Sequence, residues 1–143
     1  MKPFEILDHP ADAGFIARGR SLEELFCHAA LGMWSLVTDE AVESFPRDPA
    51  ASRRMAFEAK GEEELLFAWL RELLFYFSTQ PLILPHHRFE PLEPGRLACE
   101  SSGFRFDPAR HRCGMEIKAV TRHQFSVKCL PSGIREARVI FDV

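Results

Sequence analysis

Excess positive charge is missing from this sequence. With 18 Lys and Arg against 21 Asp and Glu, its formal net charge is −3 and its pI about 6.1. That balance leaves no electrostatic footprint for gripping RNA or DNA unaided, so any dealing with nucleic acid is expected to run through a partner. No stretch approaches a membrane span, and Met1-Lys2-Pro3-Phe4 opens no apolar run of signal-peptide length. The expectation is a cytoplasmic protein without membrane attachment. Cys27, Cys99, Cys113 and Cys129 form no CxxC pair and no closely spaced framework, which favours reduced thiols serving as small hydrophobes. P-loop, dinucleotide fingerprint, HExxH and GxSxG are all absent, as are internal repeats, low-complexity tracts and linkers.

What is there is enough for a core. The 143 residues are 46% hydrophobic and 27% charged, the profile of a globular chain, and the expectation is a single domain over 1–143. Residues 4–8 and 14–18 lean towards strand. Ser21-Leu22-Glu23-Glu24 has the form of a capping box, followed by Leu22, Leu25, Phe26, Ala29, Ala30, Met33, Leu36 and Val37 at three- and four-residue spacing. This predicts an amphipathic helix closed by Thr38-Asp39, with His28 and Trp34 as packing or edge residues. After a loop over 43–52, Met55, Phe57 and Ala59 alternate with polar neighbours as in a half-buried strand.

The most hydrophobic segment runs from Leu65 to Phe77, preceded by Glu62, Glu63 and Glu64 in a first turn that suits the helix dipole. Apolar on nearly every side, it is predicted to be the most buried element. Four prolines between 81 and 95 exclude a long helix there and leave 82–84 and 88–89 as edge strands. Segments 96–100, 104–106, 115–121, 124–130 and 135–142 read as further strands, the last three as a meander. Two main helices with strands clustered late predict an α+β two-layer sandwich, one helix layer on one mostly antiparallel, mixed sheet.

Several residue groups are candidates for chemistry. Asp8-His9-Pro10-Ala11-Asp12, followed by Gly14, packs two carboxylates and an imidazole into a bend between apolar segments. It is read either as a decorated turn or as part of a binding site. Strand alternation over Glu116–His123 puts Glu116, Lys118, Val120 and Arg122 on one face, and Arg138, Ile140 and Asp142 share a face near the end. If these strands neighbour one another, Lys118 and Asp142 approach, and the first strands can bring Asp12 to the same place.

Asp12, Asp142, backbone carbonyls and the terminal carboxylate of Val143 would make an all-oxygen set suited to a hard cation and not to zinc. The alternative is that Asp142 is a solvated chain end and Lys118 a surface lysine. With only 4 Lys against 14 Arg, a specific use for Lys118 gains slightly, because ammonium and guanidinium are not equivalent. His86-His87 is weak as a metal pair because strand neighbours face opposite ways, and Cys99, His111 and Cys113 lack a second spaced pair for zinc. Cys27 and His28 are helix neighbours and do not face each other.

These motifs, taken together, resemble archease over residues 3–143. Asp8-His9-Pro10-Ala11-Asp12-Ala13-Gly14 is similar to an opening D-H-T-A-D-x-G, and Ser21-Leu22-Glu23-Glu24-Leu25-Phe26 to T-L-E-E-A-F. Thr38-Asp39 matches a closing M-T-D, and Leu65 to Leu74 resembles L-L-x-D-W-L-N-E-L-L. Glu116 to His123 resembles E-I-K-A-V-T-Y-H, and Val139-Ile140-Phe141-Asp142-Val143 the terminal V-V-F-D-V/I. Pro10, Ala68, Arg71 and Arg122 depart from that pattern, where the family carries Thr, Asp, Asn and Tyr.

The resemblance implies a strand-helix-strand-strand unit with an inserted subdomain. It implies a divalent metal held by Asp12, Asp142 and the Val143 backbone oxygen, Ca²⁺ first with Mg²⁺ or Mn²⁺ as alternatives. It implies activity linked to Lys118, and we add His9 as a residue to orient an aspartate or meet the partner. The implied partner is the RNA ligase of tRNA splicing and RNA repair, which joins a 3′-phosphate or 2′,3′-cyclic phosphate to a 5′-hydroxyl. The protein would promote guanylylation of the ligase's histidine by GTP and its multiple turnover, meeting RNA only through the ligase and catalysing nothing itself. Two rivals are a stand-alone metal-dependent hydrolase and a chaperone-like adaptor with a structural ion.

Overall fold

A computed structural model describes residues 1–7 and 13–143. Asp8, His9, Pro10, Ala11 and Asp12, the centre of the opening bend, lie outside the described residues.

Strand β1 (Phe4–Ile6) pairs antiparallel with β2 (Ala13–Gly19), whose alternating Phe15 and Ala17 are fully buried. Helix α1 (Leu22–Val37) starts as its capping box dictates: the Ser21 hydroxyl accepts from the Glu24 amide at 3.1 Å. The Glu24 carboxylate reaches one residue further back than a standard box, accepting from the Arg20 amide at 3.0 Å. The predicted apolar stripe is buried along its whole length, and Trp34 joins it at 0% exposure.

Next come β3 (Ser52–Glu58) and α2 (Glu62–Thr79), then β4 (Leu82–Phe89) and β5 (Arg96–Arg105). Where two edge strands were expected over 82–89 there is one, with a register shift between Ile83 and His86 around Pro85. The small sheet has the order β3-β5-β4, so β4 is an edge strand and tolerates the missing proline amide. Likewise 96–100 and 104–106 belong to a single strand. Short strands β6 (Ala119–Val120) and β7 (Ser126–Cys129) both pair with β8 (Arg135–Asp142).

The α+β class and the mostly antiparallel pairing hold. Instead of one mixed sheet, however, the strands form two, the second in the order β1-β2-β8-β6, and every strand pair among the described residues is antiparallel. Helix α1 lies on β1, β2, β8 and β4, and α2 on β3, β4, β6 and β7, so the helix layer ties the sheets together. Between the layers sit Phe15, Phe26, Trp34, Trp69, Val139 and Phe141, all at 0% exposure. No helix among the described residues is long and apolar enough to cross a membrane.

Two further sequence expectations are corrected. Helix α2 is not the most buried element: it buries seven of its 18 residues, while α1 buries ten of 16. Its outer stripe stays open to solvent, with Arg71 and Phe75 exposed and Ala68 and Glu72 half-buried. Its three first-turn glutamates also do more than meet a dipole. Glu62 pairs with Arg135 at 2.6 Å, Glu64 with Arg122 at 2.6 Å, and Glu63 accepts from the Val127 amide at 3.2 Å. They hold the N-terminus of α2 against β7, β8 and the turn before them.

The second correction concerns 115–121, of which only Ala119–Val120 is strand. The amides of Gly114 and Met115 donate to the carbonyls of Val37 and Leu36 at 2.9 and 2.7 Å. Those carbonyls belong to the last turn of α1, which has no helical donors left for them. The segment therefore satisfies its backbone on a helix end and not on a sheet edge.

Candidate functional site

Strand β8 sits between β2 on one side and β6 and β7 on the other. Its residue Phe141 faces Ala13 across one ladder and Val120 across the other. The chain reaches Lys118 by a run pressed against α1. Thr38 donates its hydroxyl to the Arg112 carbonyl, and a Cβ added at Gly114 would lie 2.3 Å from the Leu36 carbonyl oxygen. Only glycine lets backbone approach backbone that closely.

From there Ile117 is buried, and the amide of Lys118 donates to the Asp142 carbonyl oxygen at 2.8 Å. Thr121 clamps the other end of β6, its amide and hydroxyl both donating to the Ile140 carbonyl at 3.0 and 2.9 Å. Three hydrogen bonds thus fix a short segment on which the Lys118 side chain is exposed.

Lys118 and Asp142 are brought together by this ladder, both exposed, with Val143 next to them at 44% exposure. Ala13, which follows Asp12 in the chain, is held opposite Phe141, which precedes Asp142. Asp12 and His9 themselves lie outside the described residues. The expected sharing of one face by Glu116, Lys118, Val120 and Arg122 does not occur: Val120 is 7% exposed and turned inward, while the other three are exposed. The break lies in the non-strand run before Ala119, where alternation has no ladder to enforce it.

The donors at this corner are oxygens. Asp142 offers a solvent-facing carboxylate that makes no ion pair with any described residue, and Val143 a backbone carbonyl. Both are hard oxygen donors, which fit Ca²⁺, Mg²⁺ or Mn²⁺ and not a soft thiolate-seeking metal. Among the described residues no three His, Cys, Asp or Glu side chains gather as a metal cluster, so any such ion would need further donors.

The other candidates separate. His86 and His87 face opposite ways. His87 points inward, its Nδ1 2.6 Å from the Ser101 hydroxyl and its ring edge-on to Trp69 at 4.8 Å. Burial, with a smaller push from His86, lowers its pKa to about 3, so it is neutral in the core. His111 Nδ1 accepts from the Asp107 amide at 2.9 Å, and its ring packs among Phe45, Phe104 and Phe106. Cys99 is buried and Cys113 exposed, and no zinc set forms around them among the described residues. Burial pushes the Cys27 thiol up to about 11, which removes any thiolate, and the neighbouring His28 donates from Nδ1 to the Arg18 carbonyl at 2.5 Å.

One feature escaped the sequence. Beside Lys118 runs a groove of about 260 Å³ lined by Arg71, Leu74, Phe75, Ser78, Ala119 and Val120. A second, of about 290 Å³, adjoins it through Arg71 and Phe75 and is lined also by Phe57, Ala68 and Glu72. Ala68 and Arg71, two departures from the family pattern, thus line this surface. Arg122, another of the four, stacks its guanidinium 3.6 Å over the Phe67 ring. A helix apolar on most sides gave no sign of which face would stay open.

Comparison with known proteins points one way. The model of the Archease protein family (MTH1598/TM1083) matches residues 4–143. Protein archease of Methanothermobacter thermautotrophicus is 34% identical over 146 residues, covering 100% of both chains. That of Methanosarcina acetivorans is 32% identical, covering 99% of this chain and 97% of its own. In structure, the chain is similar to Methanobacterium thermoautotrophicum protein 1598, with a TM-score of 0.79, 32% identity and 100% coverage of both. It shares its fold with an archease from Thermotoga maritima, described as a possible chaperone, with a TM-score of 0.65, 19% identity and 96% and 94% coverage.

Proposed function

This chain belongs to the archease family, and from that premise we propose that it activates an RNA ligase of the tRNA-splicing type. We read residues 1–143 as one archease-like domain acting in the cytoplasm. It promotes the attachment of GMP to the ligase's histidine and the ligase's repeated turnover, and carries out no reaction alone. The observation that supports this most is the ladder joining Lys118 to Asp142, with the amide of one on the carbonyl of the other at 2.8 Å.

Asp12, Asp142 and the Val143 carbonyl would hold a divalent ion, Ca²⁺ before Mg²⁺ or Mn²⁺. When bound, the ion adds fixed positive charge at the corner and screens the two carboxylates from each other. The rest of the work belongs to the chain. Lys118 presents its ammonium from a stretch of backbone whose place is set before the partner arrives. A cation delivered there stabilises negative charge that builds on phosphate oxygens during nucleotidyl transfer. His9 orients an aspartate or meets the ligase.

The test mixes the host's RNA ligase, GTP and Mn²⁺ with catalytic amounts of this protein and follows covalent GMP on the ligase and joined RNA. Faster labelling and multiple turnover are expected; no change in either contradicts the proposal. Phosphoester hydrolysis by the isolated protein, lost in Asp12→Ala, would instead support a hydrolase.

A further inference from the structure

The outer face of α2 carries an anomaly. Of the 13 phenylalanines, Phe75 alone is exposed, at 54%, in mid-surface of a helix whose other side is the core. Its only aromatic contact among the described residues is the adjacent Tyr76, at 5.9 Å between ring centroids. One turn earlier, at i−4, stands Arg71, exposed and without an ion pair among the described residues. Its guanidinium rests 5.8 Å from the Phe67 ring centroid. The two adjoining grooves meet at these two residues, and the first of them ends at Lys118, Ala119 and Val120.

We propose that this double groove docks a segment of the partner protein that carries an apolar side chain for Phe75 and a carboxylate for Arg71. The inference rests on the activator reading and gives that partner a seat. Leu74 and Val120 form the apolar floor, while Phe75 forms the exposed wall that such a side chain would cover. A rigid aromatic wall beside an arginine is the pairing that concentrates binding energy in protein interfaces. Charge complementarity selects a carboxylate, since Arg71 is the charged residue that lines both grooves.

Protein is favoured over RNA as the occupant because a phosphate backbone needs a run of cations along its track, whereas these grooves offer two cations, one acid and several apolar side chains, a lining that suits a single carboxylate beside an apolar residue. With the carboxylate on Arg71, Lys118 stays at the groove's end, aimed at whatever lies beyond the docked segment. Docking and activation are then separate tasks of neighbouring residues.

The separation makes the proposal testable. Arg71→Glu and Phe75→Ser are surface changes and are expected to melt like the wild type. Each should raise the concentration needed for half-maximal ligase activation by about tenfold or more, leaving activation at saturation intact. A photoreactive benzoylphenylalanine in place of Phe75 should crosslink to a ligase peptide rich in Asp or Glu and apolar residues. Unchanged half-maximal concentrations in both variants, or crosslinking to RNA instead of ligase, overturn the docking site while leaving the activator reading in place. Failure of the wild type to activate at all overturns both.

Discussion

Lys118 is held to Asp142 by backbone: the lysine amide donates to the aspartate carbonyl at 2.8 Å, and the next pair of the ladder sets Ala119 opposite Asp142. Neither side chain takes part in that bond. Both side chains are exposed while their backbone is held by β8, whose Ala137, Val139 and Phe141 are anchored in the core. Substitutions at 118 and 142 should accordingly change function without unfolding the protein, and substitutions in the supporting segment should do both.

Gly114→Ala probes that support. The new methyl would lie 2.3 Å from the Leu36 carbonyl oxygen, so the segment leading to Lys118 must lift off the end of α1. Release of two backbone hydrogen bonds and the strain of the added carbon should cost about 1–3 kcal/mol. Denaturant unfolding reads the loss, and ligase activation should fall with it at temperatures where the protein remains folded.

Binding of the ion is expected to appear as heat stability. Saturating Ca²⁺ should raise the melting temperature, since a ligand at 100 times its Kd stabilises the folded state by about 2.7 kcal/mol. Asp142→Asn should abolish most of that rise while leaving the melting temperature in chelator within a degree or two of wild type. A rise that survives Asp142→Asn would place the ion elsewhere.

His87 predicts an acid sensitivity unrelated to the site. Its folded-state pKa, about 3, lies below that of an unfolded histidine near 6.5. The unfolded chain therefore takes up a proton that the folded one refuses. Stability contributed by neutral His87 is fully present above pH 6.5 and is lost as pH falls towards 3, at up to about 1.4 kcal/mol per pH unit. Comparing denaturant midpoints between pH 7 and 4 for wild type and His87→Gln isolates the effect: the wild type should lose more stability than the variant.

How far the sequence foretold this depends on the range of the forces involved. Helix α1 was legible to the residue because a Ser21–Glu24 cap and an apolar stripe are local signals. The approach of Lys118 to Asp142 was legible as a consequence of two strands pairing, which they do through Ala119 and Val120. Division of the strands into two sheets was not legible, because it depends on how β3, β4 and β5 leave the larger sheet in space. The irregular run before Ala119 was missed for a related reason. Its amides go to carbonyls of α1 some eighty positions earlier, and no strand propensity reports such a bond. Phe75 reads in sequence like the core residues around it, and only the packed helix shows it standing outside.

Lys118→Ala tests the central claim most directly. An unchanged melting temperature, an unchanged half-maximal concentration in the ligase assay and loss of most GMP transfer to the ligase at saturation are expected. Wild-type transfer by the alanine variant, with both proteins shown to be folded and bound to the ligase, would contradict that claim.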